Sequence, residues 1–435
     1  MARARLAGVA SGFGWRSVAA AAVLILAAGV AGMVVPPVAG AAWAGMGTAV
    51  GAGTAVGAGT AVGAGTAVGA GRTTAGQSAA ACGRAVGPFR VSGTQVLGAG
   101  GRPFVSYGLT VAGLQGPDWT GSVALDWAEI AATADQWCAN TVRLQLNQDD
   151  LLGPDGTGFS RAYMAAIESE VSLAESRHLV VVLNDETNLA TPAEQKVQRG
   201  PTPGTETFWK DLAAVYGHDP QVIFDLFNEP RMYSAGMSLA QEWQLWLDGG
   251  TYDGVYYPFG MAQLAAYVRT TAGARNLFWI EGPNFSASFA GMVQQHALLH
   301  VSGVVYAVHH PAGPADAGSW SDDFGYLITA GVAPVVEGEW TNYEPAPTAS
   351  PTTMPTSCWP DAPAMVPAFL QYLTLYGVGL NAYTLQPGFL IRSYSNLADP
   401  TTMNSATWTC QSDSEPQPGQ GAGSAVLAWF QQQNG

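Results

Sequence analysis

The chain has 435 residues, 48% of them apolar and only 11% charged, which is enough apolar mass for one large domain or two ordinary ones. Its formal net charge is −15, and its only lysines are Lys196 and Lys210. So acidic a chain repels nucleic acid and anionic membrane surfaces, which leaves a neutral substrate as the expectation.

In chain order, Arg3, Arg5 and Arg16 precede an uncharged apolar run over residues 18–35. Small residues follow, with Ala39-Gly40-Ala41 and Ala42-Trp43-Ala44 as candidate cleavage sites, so residues 1–44 read as an export signal. The run is also close to the shortest membrane span, and an uncleaved anchor is the alternative. Either way the remainder is expected outside the cell, secreted or, if uncleaved, membrane-anchored. Gly-Thr-Ala-Val-Gly-Ala then repeats four times from Gly47 to Ala70. With no aromatic or long apolar residue to bury, residues 45–80 read as a flexible spacer.

From residue 81 to 435 the composition is that of a folded domain in which β-runs alternate with helical stretches. Residues 104–109, 141–146, 179–184, 222–227, 277–281, 304–308, 333–338 and 378–385 read as eight short apolar strands. Helices are expected at 127–138, 161–177, 206–216, 239–247, 261–272, 289–297, 323–330 and 363–376. Strands this continuously apolar have both faces buried. Eight such units predict an α/β fold, a (β/α)8 barrel. A doubly wound sheet is the runner-up, but Gly108-Leu109-Thr110-Val111-Ala112-Gly113 lacks the phosphate-loop fingerprint expected after its first strand. Four cysteines, Cys82, Cys138, Cys358 and Cys410, suggest two disulfides in an exported chain. Three pairings are open; Cys82–Cys138 and Cys358–Cys410 are preferred because each joins segments within one end of the domain. The spacings fit no zinc site, and no metal or cofactor is expected.

Chemistry in such a barrel gathers at the carboxyl ends of its strands. The polar residues there are Arg143, Asn184, Asp185, Glu186, Asn228, Glu229, Glu281, His309, His310 and Glu339. Glu229 closes the run Val222–Phe227 in Asn228-Glu229-Pro230, and Glu339 ends a second run 110 residues later. Two acids on facing strands suit glycosidic-bond cleavage, in which one carboxyl protonates the leaving oxygen and the other attacks or activates water. Adjacent strand residues face opposite ways, so His309 is expected in the mouth and His310 outside it. Glu337 shares parity with Glu339 and is the competing nucleophile. Trp320, in the loop after the sixth strand, is a candidate for stacking on substrate.

Phe224-Asp225-Leu226-Phe227-Asn228-Glu229-Pro230 resembles the acid/base motif of glycoside hydrolase family 5, the cellulase family. Pro334-Val335-Val336-Glu337-Gly338-Glu339-Trp340 resembles its nucleophile motif, Asn140-Thr141-Val142-Arg143-Leu144 its strand-two Arg motif, and Val305-Tyr306-Ala307-Val308-His309 its strand-six His motif. The resemblance implies that Glu229 is the acid/base, Glu339 the nucleophile and Asn228 the partner of the sugar 2-hydroxyl. Arg143 would steady Glu339 and His309 would line the subsite beside the cleaved bond. Three positions depart from the family pattern: Glu186 stands where a His follows strand three, Pro311 where a Tyr follows the strand-six His, and Tyr383 where a Trp floors the subsite. The expectation is a secreted, monomeric, retaining β-glycosidase acting on a β-linked oligo- or polysaccharide, β-1,4-glucan first and β-mannan second. The alternatives are a barrel that binds carbohydrate without cleaving it and a surface-anchored structural protein.

Overall fold

The computed structural model describes residues 82–435, apart from 117–118, 154–155, 187–198, 234–235, 253, 311–316, 346–355, 359–361 and 404–420. The signal and spacer expected over residues 1–80 therefore lie outside the described residues, as do Pro311 and Cys410. Eight parallel strands close into a barrel in sequence order. They are β1 (Tyr107–Val111), β2 (Thr141–Leu146), β3 (Val180–Asp185), β4 (Val222–Asp225), β5 (Phe278–Glu281), β6 (Val304–Val308), β7 (Val335–Trp340) and β8 (Gly379–Ala382), with β8 pairing back on β1. This is the expected (β/α)8 fold.

The period-two alternation of each strand divides the apolar residues between two cores. Val180, Val182, Ile223, Leu277, Trp279, Val305, Ala307 and Val336 fill the barrel interior. A small antiparallel sheet, Arg90–Ser92, Gln95–Leu97 and Pro103–Phe104, closes the amino end, with Phe89, Val91, Val96 and Phe104 packed against that interior cluster. Residues of the opposite parity, among them Leu109, Val142, Leu144, Leu183, Phe224 and Ile280, join the larger core between strands and helices. The inward parity carried one step further toward the carboxyl ends brings up Arg143 and Gln145 on β2, Asp225 on β4 and Glu281 on β5.

The longer helices among the described residues are α1 (Trp119–Asp135), α2 (Arg161–Ser176), α3 (Pro203–Tyr216), α4 (Leu239–Asp248), α5 (Met261–Thr270), α6 (Ala362–Tyr376) and α7 (Gly423–Asn434). Their starts follow local chemistry. Ser160 and Thr202 accept from the backbone N–H groups of Tyr163 and Thr205, and Pro203 sits in the first turn of α3, where no donor is needed. Helix α1 begins eight residues before the expected 127, through Thr120-Gly121-Ser122, which are weak helix formers that read as a loop. The helix expected at 289–297 is absent: that stretch is a series of turns, and Gly291 and His296 lie at φ 80° and 55°, in the left-handed region that a helix excludes. Between β6 and β7 the chain is helical from Ala317 to Thr329, with a π-turn at Ser321–Gly325. Cys82 and Cys138 form a disulfide, Cα–Cα 5.3 Å.

Candidate active site

Arg143, fully buried, is the hub of the barrel mouth. Its Nε donates to Asp225 Oδ2 at 2.9 Å, Nη1 to Glu339 Oε2 at 2.6 Å, and Nη2 to Asn228 Oδ1 at 2.5 Å and Glu281 Oε1 at 3.2 Å. One planar guanidinium thus ties together β4, β5 and β7. Two residues further along β2, on the same face, Gln145 Nε2 donates to Glu339 Oε2 at 2.7 Å and to Glu186 Oε2 at 2.9 Å.

Glu229 is held from behind. Its backbone N–H donates to Glu281 Oε2 at 2.6 Å, and its φ of 44° lies in the left-handed region, rare for a residue with a side chain. His309 bridges the two acids: Nδ1 lies 3.3 Å from Glu229 Oε1 and Nε2 3.2 Å from Glu281 Oε1. The side chains of Asp225 and Glu281 are wholly buried, whereas those of Glu229 and Glu339 are 28% and 19% exposed, so the latter pair can meet a ligand. Glu186 is also partly exposed.

A β-bulge separates the two candidates on β7. Glu337 pairs with Leu380 and Trp340 with Ala382, so three steps on β7 match two on β8. Glu337 sits opposite Val308, which faces the outer core; there its Oε1 accepts the His310 N–H at 2.7 Å and the side chain is fully buried. Parity alone made Glu337 a rival to Glu339; Glu337 faces outward beside inward Val336, and the bulge breaks the parity beyond it and turns Glu339 inward. At Gly338 a Cβ would come within 3.0 Å of both Ala307 Cβ and His309 Nε2, so glycine lets the chain approach the barrel interior.

The other sequence candidates divide. Asn228, its N–H bonded to Asp185 O at 2.9 Å, stands beside Arg143 and accepts from it through Oδ1. Tyr383, half-buried beyond β8, is hydrogen-bonded to Gln115 and sets its ring edge-on to Phe389 at 5.5 Å. His310 lies outside the mouth, between Phe324 and Phe369, with Nε2 3.0 Å from Asp323 Oδ2. Trp320 is not brought to the mouth. It is 3% exposed, with its ring 5.1 Å from Phe369 and 5.3 Å from Tyr372, because its helical turn docks on the apolar seam of α6. The residue that sequence reading passed over is Gln145. Its parity with Arg143 on the same strand was the available signal. Among the described residues, no group of acids, histidines and cysteines is arranged to hold a metal ion.

The electrostatics follow from burial and from the local excess of carboxyls. Burial lowers the affinity of Arg143 for its proton, but Asp225, Glu339 and Glu281 overcome this and hold it as a permanent cation. Burial likewise disfavours the His309 imidazolium, yet Glu281 and Glu229 carry its pKa well above the usual value. Asp225 is pushed up to about 7 by burial and by Glu281, against Arg143 and His309. Burial raises Glu339, with Arg143 and His309 pulling it back. The mouth therefore offers one carboxyl beside a protonated imidazole and another whose Oε2 is gripped by two donors, an arrangement suited to acid-assisted cleavage of an acetal.

A family model described as cellulase (glycosyl hydrolase family 5) matches residues 97–371. Endoglucanase C of Evansella cellulosilytica is 24% identical over 143 residues, which is 31% of this chain and 16% of that protein, so the match spans only a small part of the relative. Among solved structures, a β-glucanase from Saccharophagus degradans aligns with a TM-score of 0.54 at 16% identity, covering 80% of this chain and 93% of that one. A hyperthermophilic endocellulase from Pyrococcus horikoshii aligns with a TM-score of 0.52 at 15% identity, covering 70% and 92%.

Proposed function

The chain belongs to the cellulase family, glycosyl hydrolase family 5, and on that premise we propose that it is a secreted, retaining β-glycoside hydrolase with Glu229 as acid/base and Glu339 as nucleophile. The observation that carries the reading is the grip on Glu339: Arg143 and Gln145 both donate to Oε2, at 2.6 and 2.7 Å, which favours the ionised form and leaves Oε1 to attack the anomeric carbon. Glu229, beside His309, gives its proton to the departing oxygen as the C–O bond breaks and the glycosyl–Glu339 ester forms. Glu229 then takes a proton from the water that opens the ester. Asn228, oriented by Arg143, donates to the sugar 2-hydroxyl, and the Tyr383 ring offers a face to the sugar. β-1,4-Glucan is the first substrate to try and β-mannan the second; a Saccharophagus degradans β-glucanase of the same fold has been crystallised with cellotetraose. Export is supported by the Cys82–Cys138 disulfide, which persists in oxidising compartments.

The test is hydrolysis of soluble β-glucans, mannans and xylans by the parent, Glu339→Ala and Glu229→Ala, with the anomer of the first product read by NMR. The parent is expected to release β-anomer, and each alanine variant to lose at least about 10³-fold in kcat. First-formed α-anomer would overturn the retaining assignment. Sugar binding without turnover in the parent would favour the binding-only alternative.

A further inference from the structure

Five carboxyl groups, Asp225, Glu186, Glu229, Glu281 and Glu339, crowd two cationic side chains, Arg143 and His309. A largely buried site does not hold three surplus negative charges, so protons must remain on some of these groups. The hydrogen bonds indicate which. Glu339 and Asp225 each accept directly from Arg143; Glu281 accepts the Glu229 N–H and lies 3.2 Å from both Arg143 and His309. Among the described residues no salt bridge reaches Glu186. Its Oε2 takes a 2.9 Å bond from Gln145 Nε2, the same amide nitrogen that donates to Glu339 at 2.7 Å.

We propose that Glu186 is a positioning residue that works as a neutral acid, acting on Glu339 through the amide of Gln145, and that its ionisation confines hydrolysis to the acidic side of the pH range. The inference rests on Glu339 being the nucleophile. The Gln145 amide has two hydrogens, one for each carboxyl, and a neutral Glu186, with its proton on Oε1 away from Gln145, accepts weakly, so the amide stays seated on Glu339. When that proton leaves for solvent, the Glu186 carboxylate draws the amide toward itself and turns a second negative charge toward Glu339. The charged and titratable groups facing Glu186 are Arg143 from β2, Glu229 after β4, Glu281 on β5, Glu339 on β7 and Tyr383 after β8; all but Arg143 are acidic groups. Burial, then Glu339 and Glu229, hold the Glu186 carboxyl well above the ordinary range, with Arg143 opposing. A neutral acid here also explains how one amide nitrogen can lie between two carboxyl oxygens without leaving a buried repulsion.

Two measurements test this. The first is kcat and KM from about pH 4 to about pH 9 for the parent, Glu186→Gln and Glu186→Ala. Glu186→Ala is expected to lower kcat about tenfold with little change in KM. Glu186→Gln, which cannot ionise, is expected to recover most of that loss and to move the alkaline limb up by about one pH unit or more. An alkaline limb that superimposes on the parent's, or parental kcat in the alanine variant, would overturn the proposal. The second reads protonation without turnover: the infrared carbonyl band of a protonated carboxyl near neutral pH, taken as parent minus Glu186→Gln. The band is expected in the difference, and its absence sinks the proposal whatever the kinetics. A band without any turnover by the parent would leave the protonated Glu186 standing, but would remove the hydrolase reading and with it the role assigned here.

Discussion

At the scale of single residues the site is organised by who donates to whom. Arg143 spends its donors on four partners, so Glu339 receives only one bond from it, and the second comes from Gln145. A hydrogen bond to a charged acceptor is worth about 1.5–3 kcal/mol, which is roughly a 10- to 100-fold effect if it is felt only in the reacting state. Gln145→Ala is accordingly expected to lower kcat by about that factor while KM moves little. A rise in KM at unchanged kcat would mean that the amide serves substrate binding rather than Glu339. Of this constellation, Asn228, Glu229, His309 and Glu339 were legible because each follows or ends an apolar run at a polar residue, and Arg143 because a cation inside a strand stands out. Gln145, also inside β2, carries no charge, and its role shows only once its amide is seen against Glu339.

At the scale of elements, legibility followed burial. β2 and β6 were placed at their observed bounds, and β3, β4 and β5 within two residues, because strands buried on both faces leave runs of β-branched and aromatic residues. The stretch 289–297 has apolar residues at helical spacing, yet left-handed Gly291 and His296 make it a chain of turns; apolar periodicity does not report φ. The bulge in β7 was invisible for a related reason, since parity counting assumes a regular strand. Gly338 makes the bulge possible where the chain passes Ala307 and His309. Gly338→Ala is expected to cost about 1–3 kcal/mol of stability by overpacking and, by displacing His309, to lower kcat about tenfold. Urea unfolding together with initial rates checks both, and parental values in each would mean that His309 yields freely.

At the scale of the whole molecule the acidic composition reappears as buried acid. Asp126 and Glu129 on α1 and Glu170 on α2 are 2%, 3% and 0% exposed. Burial pushes Asp126 up to about 6 against hydrogen bonds from Glu170 and Gly113, and burial reinforced by neighbouring carboxyls pushes Glu129 up to about 8 and Glu170 up to about 10. The unfolded chain would titrate these groups near pH 4, so each folded pKa is raised. The stability they lend is full below about pH 4 and is lost as pH rises through about 6 to about 10. The unfolding midpoint is therefore expected to fall steadily across that window, and Glu170→Gln to recover on the order of 1–3 kcal/mol at its alkaline end. A midpoint that stays flat or rises with pH would show that the triad sheds its protons without penalty. Frame and site thus ask for the same condition, a proton supply that keeps buried carboxyls neutral.

The extra residue of β7 has a further meaning. Were Gly338 deleted, the strand would read Val336 inward, Glu337 outward, Glu339 inward and Trp340 outward, with the nucleophile still facing the axis. Its height would change little, because Trp340 keeps its place opposite Ala382 with or without the extra residue. What the slack provides is two-sidedness: acids two residues apart on a regular strand share a face, whereas here Glu337 serves the helical layer and Glu339 the mouth.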